Sequence, residues 1–262
     1  MSFIAACVQS TATPDIAHDI RVLMGFIREA GIRGARFIAT PEYCAGLDTR
    51  DGKMFPVAFA EAEHPVLPAM QGLAKELGVW LLIGSIGVRA PDGKIFNRSF
   101  MIAPSGAIAA RYDKIHLFDI NLGEGRAYHE SATIAAGTHA VIAPCAEGMI
   151  GLSICYDIRF PHLYRAYAQA GAEMIAAPAA FTRVTGEAHW HVLQRARAIE
   201  NGAYVISPGQ CGTLSGGAEC HGHSLIVDPW GRVLADGGTE PGVVTAEIDL
   251  ALVAETRRRI PS

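Results

Sequence analysis

Three residues of reactive type each follow closely on an apolar run. Glu42 comes after "RFIAT" and Pro41, Lys114 after "AIAARYD", and Cys155 after "MIGLSI". A carboxylate, an ammonium and a thiol brought together suit acyl transfer through a thioester. A free thiol titrates near ~8.5 and is only partly ionised at neutral pH. A nearby ammonium favours the thiolate, and a carboxylate can accept its proton. The same ammonium then steadies the oxyanion that forms on attack, with the backbone N–H after the nucleophile as second donor. Taken singly, each residue has a plainer account. A cysteine at a strand end packs, a Glu after Thr-Pro marks a turn or a helix start, and a lone Lys is solvated.

The elements that must position this trio are legible in outline. "FIAACVQ" is apolar at both parities, as in a strand buried on both faces. Ile16, Ile20, Leu23, Met24 and Ile27 then repeat at helical spacing, with Thr13 before Pro14 as the expected N-cap. "RFIAT" is a short strand, and residues 43–64 read as a loop or insertion. "PVLPAMQGLAKELG" is a helix with Gly78 just past its end. "VWLLIGSIGV", "IFNRSFMIA" and "AIAARYD" are strands separated by Pro-Asp-Gly and Pro-Ser-Gly turns. Residues 116–138 read as loop with short helical pieces. Two strand–helix alternations follow Cys155, then a hairpin around Asp-Pro-Trp-Gly, a last strand and a last helix. No linker or repeat divides the chain, so residues 1–262 are expected to form a single α/β domain with roughly a dozen strands. The mixture of hairpins and alternation argues against a uniform barrel and for packed sheets covered by helices. In such folds sites gather beyond the carboxyl ends of strands, where all three reactive residues lie.

The contexts "TPEYC", "YDKIHLFD" and "GLSICYDIRFP" resemble the three signature blocks of the nitrilase superfamily of carbon–nitrogen hydrolases. "AHWHVLQRARAIEN", "GHSLIVDPWGRVLAD" and the closing "IDL" resemble that family's later blocks, in order, so the resemblance spans nearly the whole chain. It implies a four-layer α-β-β-α sandwich that dimerises or assembles further, and a Glu–Lys–Cys triad at Glu42, Lys114 and Cys155. The family's second glutamate matches Glu130 in "YHES", about sixteen residues past the Lys and before a Ser; Glu124 is the rival.

The resemblance implies a cysteine-dependent amidohydrolase that needs neither metal nor organic cofactor. Its closest branch holds the ω-amidases and the deaminated glutathione amidases, and "QCGT" after "AYVISPG" is nearer to the latter. The expected reaction is hydrolysis of a 2-oxoglutaryl amide to 2-oxoglutarate and cysteinylglycine. The alternatives are ω-amidase action on 2-oxoglutaramate or succinamate, or another amidase, carbamoylase or nitrilase activity. Tyr156 is expected to supply the oxyanion N–H. Arg159, Phe181, Thr182 and Arg183 are candidates to bind the substrate, whose carboxylate needs a cationic or hydrogen-bonding partner. For Arg159 a structural ion pair with Asp157 is the preferred reading.

Competing chemistry has weaker support. His116, His189 or His191 could serve as base in a Cys–His hydrolase. "CHGH" offers Cys220, His221 and His223 as metal ligands, at a spacing that matches no common zinc pattern. "GTLSGG" lacks the lysine of a phosphate loop. A binding protein on the same scaffold is the non-enzyme alternative.

Composition narrows the partners. The chain has 262 residues, half of them hydrophobic, enough to bury a large core. A charged share of 18% and a net charge of −4 leave no basic footprint for nucleic acid. No apolar run is long enough for a membrane span or secretory leader, and six cysteines without paired spacing read as free thiols. The expectation is a cytoplasmic homo-oligomer acting on a small amide.

Overall fold

Strand alternation sets the architecture. In the strand Ser2–Gln9, Ala5 and Cys7 face one buried cluster while Ala6 and Val8 face another. The same split recurs in Ala35–Ala39, with Phe37 and Ala39 on one side and Ile38 on the other. Side chains that alternate between two dry faces require a cover on each. The computed structural model, which describes residues 2–50, 53–121, 123 and 127–261, supplies both covers.

The first sheet has eight strands. Its main path runs Ile134–Ala135, Ile95–Ile102, Trp80–Arg89, Ala35–Ala39, Ser2–Gln9 and Gly242–Asp249, with Ala58–Phe59 and Ile108–Asp113 added beside it. The second has six, in the order Val141–Cys145, Gly148–Leu152, Met174–Ala176, Tyr204–Ser207, Leu225–Val227 and Val233–Asp236. Each sheet has parallel pairs at its centre; the second is antiparallel at both margins, and the first mixes antiparallel pairs with parallel edge pairs at Ile134–Ala135 and Ala58–Phe59.

Helices α1 (Ile16–Ile32) and α2 (Val66–Leu77) cover the first sheet through Leu23, Ile27, Leu67 and Met70. Helices α3 (Pro161–Gln169) and α4 (Arg183–Asn201) join Tyr164, Tyr167, Trp190 and Ala198 to the other cluster. That cluster also holds Phe3, Phe37 and Met101 of the first sheet with Leu152, Val205 and Ile226 of the second. The layers are therefore α-β-β-α. A short helix α5 (Ala251–Arg259) follows the last strand and buries Val253.

Most expected helices form where periodicity places them, and α2 ends at Gly78 in the left-handed region (φ 66°). The cap of α1 differs. Asp15, not Thr13, accepts the His18 N–H at 3.0 Å. Thr13 instead donates its N–H and hydroxyl to buried Asp19, which also takes the Gly46 N–H. A carboxylate one turn inside the helix competes successfully for the hydroxyl. Residues 43–64 are not plain loop: Leu47–Arg50 and Lys53–Pro56 pair antiparallel. Within 116–138, Asp119–Asn121 pairs with Ala127–His129, and a 3-10 turn follows at Glu130–Ala132. Twenty strands are found among the described residues, more than the expected dozen, because several are only two or three residues long. No helix among the described residues is long and apolar enough to cross a membrane.

Candidate active site

The strands Ala35–Ala39 and Trp80–Arg89 run parallel, as do Gly148–Leu152 and Met174–Ala176. Their carboxyl ends carry the loops that hold Glu42 and Cys155, and Lys114 follows Ile108–Asp113 directly. The Glu42 loop lies tight on the neighbouring strand. A Cβ at Gly84 would sit 1.9 Å from the Thr40 carbonyl oxygen, so only glycine admits that approach. Ser85 then accepts the Tyr43 N–H at 2.8 Å, and Gln210 donates to the Glu42 and Tyr43 carbonyls at 3.0 and 2.9 Å.

Glu42, Lys114, Glu130 and Cys155 meet around one cavity of about 400 Å³. Lys114 Nζ donates to Glu42 Oε1 at 3.0 Å and to both Glu130 oxygens at 3.1 and 2.9 Å. Glu42 Oε2 accepts the Ala180 N–H at 2.7 Å, and Glu130 Oε2 the Phe118 N–H. Asn97 donates from Nδ2 to Glu42 at 2.9 Å and reaches Glu130 at 3.5 Å. Glu124, the rival for the fourth position, lies outside the described residues.

Electrostatics assign proton states. Burial pushes the Lys114 ammonium down, but the Glu130 and Glu42 carboxylates outweigh it and hold the group well above its ordinary range. The Cys155 thiol is raised well above its usual value, first by burial and then by the Glu42 charge; Lys114 opposes this less strongly. The ammonium by itself favours the thiolate, as expected, but burial and the Glu42 charge together outweigh it. Two carboxylates already satisfy that ammonium, so the thiol keeps its proton until a base takes it. Glu42 is placed for that task, since it lines the same cavity and its charge acts directly on the thiol.

Cys155 begins a 3-10 helix, Cys155–Arg159, with φ of 48°. A non-glycine residue in that region is held there by its surroundings. Its N–H donates to the Pro178 carbonyl at 2.8 Å. The Tyr156 N–H, in the first turn, has no intrahelical acceptor and is free to face an oxyanion. Asp157 anchors the turn: it accepts from the Ile154 N–H (2.8 Å), the Tyr112 hydroxyl (2.7 Å) and the His116 N–H (3.0 Å). From α4, Arg197 Nε donates to the Ile158 carbonyl at 2.8 Å.

The remaining candidates separate. Tyr156, Phe181 and Thr182 line the cavity. Arg159 does not pair with Asp157, whose oxygens are taken; it lies over the rings of Tyr156 and Phe181 at 5.8 and 5.3 Å and approaches His189 Nδ1 at 3.3 Å. Arg183 is turned to Glu187 (3.4 Å) and Glu219 (2.9 Å) and is not among the cavity-lining residues. His116 stacks on Phe160 with ring centroids 3.6 Å apart, and neither it, His189 nor His191 lines the cavity. Cys220 packs with Ala12, Tyr43 and Leu47, so "CHGH" does not act as one ligand set.

Sequence reading took Asp157 for an ion-pair partner of Arg159 and passed over Asn97, Lys53, Tyr128 and His129. The last three line the cavity with the Lys53–Pro56 strand at its rim. An Asn inside the buried strand "IFNRSFMIA" was a usable signal, because an interior amide needs partners. Lys53 had none, since it stands in a stretch without periodicity. The Gly-rich 215–217 segment props this rim: Ser215 Oγ donates to Asp48 Oδ1 at 3.1 Å.

The chain matches a family model described as carbon-nitrogen hydrolase over residues 4–258. It is 41% identical over 265 residues to a deaminated glutathione amidase of Synechocystis sp. (strain PCC 6803 / GT-S), covering 99% of this chain and 96% of that one. It is 36% identical over 260 residues to human omega-amidase NIT2, covering 99% and 93%. The crystal structure of the C. elegans NitFhit protein superposes with a TM-score of 0.88 at 31% identity, over 99% of this chain; the chain spans 64% of that protein.

Proposed function

The chain belongs to the carbon-nitrogen hydrolase family and acts on amides, and we propose that its substrate is deaminated glutathione, cleaved to 2-oxoglutarate and cysteinylglycine. The observation that carries the chemistry is Lys114 clamped between Glu42 and Glu130 beside the Cys155 thiol. Glu42 takes the thiol proton as Sγ attacks the amide carbon. The oxyanion is met by the Lys114 ammonium and the Tyr156 N–H. The C–N bond breaks as Glu42 passes its proton to the leaving amine, and a thioester remains on Cys155. Water then attacks the thioester carbon and gives its proton to Glu42. Collapse expels the Cys155 sulfur, which recovers that proton, and the carboxylate product leaves.

The substrate class draws support from the full-length 41% relative and from "QCGT". It also draws support from the cavity, in which Lys53 is the cationic side chain besides Lys114 among the lining residues described. That ammonium can take a substrate carboxylate where Arg183 does not reach. Steady-state rates on deaminated glutathione, 2-oxoglutaramate, succinamate and a simple nitrile test the reading. We expect the highest kcat/KM on deaminated glutathione. A clear preference for 2-oxoglutaramate would instead assign the ω-amidase activity and leave the chemistry standing. Rapid quenching with a good substrate should reveal a thioester adduct by mass spectrometry, absent in Cys155→Ala. A Cys155→Ala protein with full amidase activity would sink the mechanism.

A further inference from the structure

Outside the cavity, three side chains from separate elements converge on one point. His191 projects from α4, His223 precedes the strand Leu225–Val227, and Asp236 ends the strand Val233–Asp236. His191 Nε2 lies 3.0 Å from Asp236 Oδ2. His223 Nδ1 lies 2.8 Å from Oδ1 and 3.1 Å from Oδ2 of the same carboxylate. One donor atom from each residue falls within 4.8 Å of the other two.

The surroundings hold this group in place. His223 adopts φ of 51°, an uncommon conformation for a non-glycine residue. Its N–H donates to the Gly238 carbonyl at 2.6 Å, and its own carbonyl accepts the Trp190 indole N–H at 2.7 Å. The Gly238 N–H donates to Asp236 Oδ1 at 2.9 Å, which orients the carboxylate. The His221 ring stacks on His223 with centroids 4.7 Å apart.

We propose that His191, His223 and Asp236 bind one divalent cation of the zinc type. Two imidazole nitrogens and a carboxylate oxygen are a donor set for such an ion, with water completing the shell. Tetrahedral coordination at bonds of about 2.0–2.1 Å separates donor atoms by roughly 3.3 Å. Oδ2 already lies within a few tenths of an ångström of that spacing from both nitrogens. The His191 ring is partly exposed and has room to close the remaining gap. Both nitrogens need a free lone pair, so each neutral ring carries its proton on the other nitrogen, and binding to neutral rings releases no net proton. The same contacts without metal are two imidazole–carboxylate hydrogen bonds, which bind no cation selectively.

Such an ion braces a wall of the active site without entering its chemistry. Thr182 and Thr185, at the start of α4, line the cavity. Thr182 bridges to Cys220, and the His221 N–H donates to the Phe181 carbonyl at 2.9 Å. A cation tying His191 to His223 fastens α4 to the segment on which those contacts depend.

The test uses Cys155→Ala protein, so that the active-site thiol cannot compete for metal, after chelator treatment and dialysis. Co2+ is titrated with visible absorption as readout, and Zn2+ with thermal unfolding as readout. We expect one equivalent of Co2+ with bands typical of four-coordination, and a Zn2+-dependent rise in melting temperature. Adding His191→Ala or Asp236→Asn should weaken binding by more than about tenfold and abolish the rise. Both positions are partly exposed, and an unchanged melting temperature without metal confirms the fold. Equal Co2+ binding by these variants, or no saturable binding in the parent, would overturn the proposal.

Discussion

At the scale of single residues, the site is a charge balance around one buried ammonium. Two carboxylates hold Lys114, and Asn97 spans both of them. Asn97 touches no substrate in this scheme; it positions Glu42. An Asn97→Ala enzyme should lose about 10–100-fold in kcat with a smaller change in KM, measured on whichever amide proves best. An equal rise in KM with kcat unchanged would make Asn97 a substrate contact instead. A loss of stability in acid is expected from a separate residue, His64. Burial pushes His64 down to about 4, and its Nδ1 accepts the Val66 N–H at 3.4 Å, so the folded chain keeps it neutral. Unfolded, the same ring titrates near ~6.5. Between those values the unfolded chain binds the extra proton, so this stabilisation is full above pH ~6.5 and is lost as pH falls toward 4. It amounts to about 3 kcal/mol at most. Urea unfolding of wild type and His64→Gln between pH 7 and pH 4.5 checks this: the variant should show the flatter dependence, and parallel curves would exclude His64 as the source.

At the scale of elements, the positions proposed as catalytic were legible because each reactive residue sits past an apolar run, whereas their supports were not. Cys155 and Lys114 announce themselves by type and place. Asp157 did not, because an acid beside an arginine suggests an ion pair when the chain is read in one dimension. Its partners are Tyr112 and His116, more than forty residues earlier, and only the pairing of two sheets brings them near. The rim strands at 47–56 were equally hidden, being short and without apolar alternation of their own. Asp157 thus fixes the turn that presents Cys155. Asp157→Ala should cost about 3–5 kcal/mol, because it leaves several buried donors unpaired, and should reduce kcat beyond the loss of folded protein. Asp157→Asn, which keeps two acceptor positions on its oxygen, should lose less. Chemical denaturation with activity per folded molecule separates the effects, and an Asp157→Ala protein of wild-type stability would remove the anchor role.

At the scale of the whole molecule, the class of layers is legible in the sequence but the strand order of the first sheet is not. Ser2–Gln9 pairs along its whole length with Gly242–Asp249, from opposite ends of the chain. Strands apolar at both parities carry no register information, since either face can be buried. The same logic leaves one surface unaccounted for. On α4, Val184, Val192 and Ile199 are exposed, and Trp230, Val233 and Leu234 of the adjoining hairpin are exposed with them. The helix and the hairpin meet at Ile199: a Cβ at Gly231 would meet the Ile199 side chain at 2.6 Å, and Arg195 Nε donates to the Gly231 carbonyl at 2.8 Å. Large apolar side chains gathered in this way mark an interaction surface. The low charged share points the same way, and we propose that a second copy of this chain covers it in a symmetric homodimer. Light scattering coupled to size exclusion should give at least twice the chain mass for wild type. Val192→Asp with Trp230→Ser should shift it toward the monomer without changing the circular dichroism spectrum. A monomeric wild type at micromolar concentration would refute self-association, and a double variant that stays dimeric would move the interface off α4.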